Sequence, residues 1–142
     1  MRFVVIDTNC LIRMIPLHSK YRPLWESFLD GKYILCISNE IVSEYMEILS
    51  VKVSSTFASN IVGAILRSPF VRQFNPQFRF NLIEADPDDN KFVDCAIIAN
   101  ANYIVSEDSH FDVLRRISFP KVNLLTLDQF MGDIIQTDGH PS

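Results

Sequence analysis

Apolar and polar positions alternate between two kinds of run along this chain. The first kind is short and apolar throughout: Phe3-Val4-Val5-Ile6, Tyr33 to Ile37, Tyr103-Ile104-Val105 and Val122 to Leu125. Runs without a period of two predict strands buried on both faces of a sheet. The second kind has helical spacing. Cys10 to Ile15 continues apolar and stops at Pro16. Leu24, Trp25, Phe28 and Leu29 follow Pro23 and end at Asp30-Gly31, and this spacing makes Trp25 and Phe28 core rather than a base-stacking platform. Ser38 is a predicted N-cap for a helix carrying Ile41, Tyr45, Ile48 and Leu49 on one side. A further helix over 54–66 should bury Phe57, Ile61, Ile65 and Leu66. Phe70 to Asn81 reads as short strand pieces and a loop.

After that loop come Asp86-Pro87-Asp88-Asp89-Asn90 and a segment with Phe92, Val93, Ala96, Ile97 and Ala99 on one face, small enough to lie flat on a sheet. Phe111, Val113 and Leu114 begin another short helix, and a terminal helix runs from Thr126 to Met131. Strands alternating with helices predict an α/β fold, a central mostly parallel sheet in a three-layer α/β/α arrangement. The whole of 1–135 is expected to be one domain, with 136–142 a frayed polar tail.

Composition narrows the function. In 142 residues, 48% hydrophobic and 21% charged describe a folded chain. The net charge of −4 disfavours a simple basic nucleic-acid reader. It leaves open an enzyme whose acidic centre is neutralised by metal while scattered cations hold phosphates. Arg67, Arg72 and Arg79 are the candidate phosphate contacts, set against a plain solvated edge. Cys10, Cys36 and Cys95 lack C-x-x-C spacing and sit in apolar surroundings, which predicts buried thiols in a reducing compartment. Without a signal-peptide pattern or an apolar run of membrane length, the expected location is cytoplasmic.

The candidate chemistry lies in carboxylates that share one context. Asp7 ends the first strand, Glu44 lies on the helix after the second, Asp89 opens the central helix, and Asp108 follows Tyr103-Ile104-Val105. In an open parallel sheet, strand C-termini form the ligand crevice. Carboxylates brought together there need a proton or a cation between them, and an oxygen-only donor set suits Mg2+ or Mn2+. Each acid also has a plainer role: Asp7 as a helix cap, Glu40 and Glu47 as a solvated face flanking an inward Glu44, Asp86 and Asp88 as turn formers. Asp94 is the alternative third acid, replacing or joining Asp89. His110, a lone histidine beside an acidic turn, reads as a surface residue.

Four pieces carry a resemblance to the PIN-domain (PilT N-terminus) family, best known for the ribonuclease toxins of toxin–antitoxin pairs. They are Val5-Ile6-Asp7-Thr8-Asn9, Ser38 through Tyr45, Asp86 through Phe92, and Ile104-Val105-Ser106-Glu107-Asp108, with Leu127-Asp128-Gln129-Phe130 as the family's usual ending. The resemblance implies a Mg2+- or Mn2+-dependent endoribonuclease acting on single-stranded RNA, commonly a homodimer, with a possible antitoxin partner blocking the cleft. It assigns Asp7, Glu44, Asp89 and Asp108 as catalytic metal ligands, with Asn9 and Ser106 orienting them. Many relatives have Thr where this chain has Ser106, which keeps the hydroxyl. Two other readings stand beside it: an aspartyl-phosphate phosphatase, which Asn9 disfavours because it fills the second acid position of D-x-D, and a non-catalytic RNA- or protein-binding module.

Overall fold

The computed structural model describes residues 1–84 and 86–136. Five strands form the sheet: β1 (Arg2–Ile6), β2 (Tyr33–Ile37), β3 (Val71–Gln73), β4 (Tyr103–Val105) and β5 (Leu124–Leu125). Their order is β3-β2-β1-β4-β5, with every neighbouring pair parallel. The apolar runs form the three central strands because both faces are covered: Val4, Val5 and Ile6 are fully buried, as is every residue of β2 to within a few per cent. The outer strands are shorter than the sequence implies. Of 70–81 only Val71–Gln73 pairs, and of Val122 to Leu125 only the last two residues do.

The helices are α1 (Thr8–Met14), α2 (Arg22–Leu29), α3 (Asn39–Lys52), α4 (Ser55–Arg67), α5 (Asn90–Ala99) and α6 (Leu127–Met131). Local chemistry fixes their ends. Asp7, Ser38 and Ser54 each accept a hydrogen bond from a first-turn backbone N–H, and Thr126 with Gln129 forms a full capping box. Gly31 closes α2 at φ 78°, and a Cβ there would come within 2.5 Å of the Phe70 ring. Helix α5 lies across β1, β2 and β4 and meets α3, while α2 packs on β2 and the turn at Gly132–Gln136 packs against α2. The sheet is thus an all-parallel layer flanked by helices, as the alternating pattern predicts. Among the described residues no helix is long and apolar enough to cross a membrane.

One buried face differs from expectation. Helix α4 buries Ala58, Val62 and Ile65, while Leu66 is 51% exposed and Phe57 and Ile61 are partly covered. Because α4 packs mainly on α3 rather than on the sheet, small residues at the contact let the two helices approach closely, and the bulkier side chains flank it. The three cysteines are buried and free. The predicted tail beyond residue 136 lies outside the described residues.

Candidate metal centre

The strand order reverses between β1 and β4, and the loops leaving these two strands open the crevice that an α/β sheet offers a ligand. Asp7 leaves β1, and its backbone N–H donates to the Val105 carbonyl of β4. Ser106 leaves β4. Its hydroxyl donates to Asp7 Oδ2 at 2.5 Å and accepts from the Asp108 backbone N–H at 3.0 Å, so one side chain links the Asp7 carboxylate to the backbone of Asp108. Asp7 also caps α1 through Cys10 N at 2.8 Å. The capping role and the cleft role are therefore compatible, one oxygen serving each. Burial pushes Asp7 above the usual carboxylate range, against the hydrogen bonds from Ser106 and Cys10 that pull it down.

Glu44 enters from the second turn of α3, half-buried. Thr8 Oγ1 donates to one of its oxygens, and Lys91 Nζ donates to the other at 2.7 Å. Asp89 stands at the start of α5 after a 3-10 turn at Pro87–Asp89. Asp7, Glu44, Asp89 and Asp108 line a single cleft of about 300 Å3, together with Asn9, Asp86 and Asp88. Asp94 is elsewhere: fully buried, accepting from Phe80 N at 3.1 Å with Arg79 3.9 Å away. It ties the 74–84 loop to α5 and does not line the cleft.

Asp89 Oδ2 is buried and lacks a hydrogen-bond partner among the described residues. Burial first, then Asp86 and Asp108, pushes the Asp89 carboxyl up to about 6. A buried carboxylate oxygen among other carboxylates, with only His110 Nδ1 near it at 3.5 Å, fits a cation, and the oxygen donors fit a hard one. The tightest grouping of ligand atoms, however, is Asp86, Asp89 and His110, all within 4.8 Å of one another. His110 Nδ1 lies 3.8, 3.5 and 3.3 Å from Asp86, Asp89 and Asp108. It is exposed, as expected, yet it faces the cluster rather than open solvent. Asp86 likewise caps its turn through Asp88 N and also borders the cleft.

Sequence reasoning passed over Lys91. A cation in the first turn of a helix opposes the helix dipole, and that unfavourable position was the available signal of a specific partner. Burial alone would pull its ammonium down, but Glu44 more than reverses this and holds it above the ordinary lysine value. The arginine cluster does not serve the cleft. Arg79 binds Glu40, and Arg72 donates to the Pro69 and Val71 carbonyls. Lys52 lines the cleft instead, and Arg13 borders the adjoining groove beside Asp7 and Asp108.

Two expected results follow from these contacts. Asp89 has a folded-state value above its ordinary 3.8, so between 3.8 and about 6 the folded chain binds more protons than the unfolded one. Without metal, its contribution to stability therefore falls as pH rises across that window. Metal binding has the opposite sign, since the proton competes below about 6; calorimetric titration should find Mn2+ affinity about tenfold weaker at pH 5 than at pH 7. Lys91→Met leaves the half-buried Glu44 carboxylate without its cation. Urea unfolding without metal should lose roughly 1–3 kcal/mol, while Mn2+ binding tightens because Glu44 is released.

The architecture defines a parallel three-layer α/β protein with carboxylates gathered at the point where the strand order reverses. A family model described as PIN domain matches residues 3–110, a span that contains all four predicted acids. The chain belongs to the PIN-domain family, whose members are generally nucleases. Comparison with curated proteins finds no match. Among solved structures, the chain is similar to one in the crystal structure of VapBC2 from Rickettsia felis bound to a DNA fragment from their promoter. The TM-score is 0.60 and the identity 17%, over 87% of this chain and 98% of that one, a likeness of fold.

Proposed function

We propose that this protein is a divalent-metal-dependent endoribonuclease that hydrolyses phosphodiester bonds of single-stranded RNA. The observation that carries the reading is the convergence of Asp7, Glu44, Asp89 and Asp108 on one cleft. Asp7, Asp89 and Asp108 would hold Mg2+ or Mn2+, with Glu44 the fourth carboxylate. When bound, such an ion offsets phosphodiester charge and makes water more acidic.

The chain's own residues prepare the site for that ion. Ser106 orients the Asp7 carboxylate and holds the Asp108 backbone through its two hydrogen bonds. Thr8 orients the Glu44 carboxylate, and Lys91 neutralises its other oxygen while no ion is bound. Lys52 and Arg13 supply positive charge at the rim for an incoming phosphate.

Membership of the PIN family and the fold shared with a VapBC2 chain support a further reading: a cytoplasmic toxin, acting as a homodimer, restrained by a cognate antitoxin that covers the cleft. The first test is incubation of single-stranded RNA with the protein in Mn2+ and in EDTA. Cleavage confined to the Mn2+ sample is expected, and identical outcomes in the two samples would contradict the reading.

A further inference from the structure

A second cavity lies at the opposite end of the sheet, where β1 and β4 begin. About 460 Å3 in volume, it is lined by Arg2, Arg115 and Lys121 with the amides Asn102 and Asn123. Asp133 is the one acid among its lining residues, and it is bound by Arg2 Nε at 3.0 Å and by the Tyr103 hydroxyl at 2.6 Å. Arg115 is 55% exposed, with Asp112 3.7 Å away along its own helical segment. From Val113 to Leu127 the chain carries Arg115, Arg116 and Lys121 and no acid, in a protein of net charge −4. Phe119, between Arg116 and Lys121 in the sequence, is 90% exposed.

Exposed cations beside an exposed aromatic ring match a single-stranded nucleic acid, whose backbone takes the charges and whose bases stack. An acidic peptide would use the charges and leave Phe119 without a role. The 3-10 segment Ser109–Arg116 joins this cavity to the acidic cleft, since Asp108 caps its first turn and Arg115 lies near its end. Seven residues at a rise of roughly 2.0 Å place the two about 14 Å apart along that segment.

We propose that the Arg115–Lys121 cavity is a second phosphate-binding site that anchors the flank of a single-stranded RNA whose scissile bond lies in the acidic cleft. The assignment of the cleft rests on the ribonuclease reading; the anchoring site stands on its own charge and shape.

The test uses the charge-reversed pair R115E/K121E and the conservative pair R115K/K121R, with folding checked by near-ultraviolet circular dichroism. Binding of a labelled twelve-nucleotide RNA is followed by anisotropy in EDTA across a salt series. Charge reversal should weaken binding roughly tenfold, and loss of two phosphate contacts should flatten the salt slope by about 1.4. The conservative pair should retain both. In Mn2+, cleavage of a dinucleotide too short to reach the cavity should be unchanged in R115E/K121E. Unaltered RNA affinity and salt slope in R115E/K121E would overturn the anchor while leaving the nuclease reading intact. Weakened RNA binding in a protein that cuts nothing would uphold the anchor and remove the nuclease reading. Loss of polyglutamate binding with RNA binding intact would overturn it in favour of a protein partner.

Discussion

Asp7→Asn should abolish metal-dependent RNA cleavage while leaving the fold in place. Asparagine keeps an oxygen that can accept from Cys10 N, so α1 remains capped, and its amide can donate to the Ser106 hydroxyl. What disappears is a negative charge at the centre of the cleft. Groups that merely orient a metal ligand are worth roughly 10–100-fold, so loss of the ligand itself should cost at least about 100-fold in cleavage rate. Burial penalises the Asp7 carboxylate, so the apo variant should be no less stable than the wild type. A timed RNA digestion beside a urea unfolding curve separates the two effects. Cleavage at the wild-type rate would contradict the assignment.

The second large effect is on stability. Phe130 is fully buried in α6, with its ring centroid 5.0 Å from that of Tyr33 and 5.7 Å from that of Tyr103, both edge-on. It joins α6 to strands on either side of β1. Phe130→Ala removes the ring, its edge-on contacts and the filling of the space between them, at a cost of about 3–5 kcal/mol. For a chain of this length such a loss is a large part of total stability, and it should appear as a much lower urea midpoint. A shift below about 1 kcal/mol would mean that the site collapses around the deletion.

The sequence makes legible what depends on local order. Continuous apolar runs identify the central strands because burial on both faces removes any alternation, and Ser38 announces its helix through cap chemistry that acts over three residues. The position of Asp7 at the end of β1 follows from the same run. Features set by distant chain segments are not legible in this way. The role of Lys91 depends on Glu44, 47 residues away, and that of Arg79 on the return of the 74–84 loop over Asp94. His110 reads as surface because nothing near it in sequence says that its segment turns back toward Asp86 and Asp89. The large apolar residues of α4 point to Phe57, Ile61, Ile65 and Leu66 as its buried face, whereas contact with α3 keeps Ile65 and favours Ala58 and Val62. Gathering the acids into one cleft is a property of the strand order, which the pattern of runs does not specify.

The proposed chemistry requires a divalent ion held among these carboxylates. Anomalous diffraction from crystals soaked in Mn2+ tests that directly. A peak within bonding distance of Asp7, Asp89 and Asp108 oxygens is predicted, lost in Asp7→Asn crystals. Mn2+ bound elsewhere, or no peak in the cleft at saturating concentration, would contradict it.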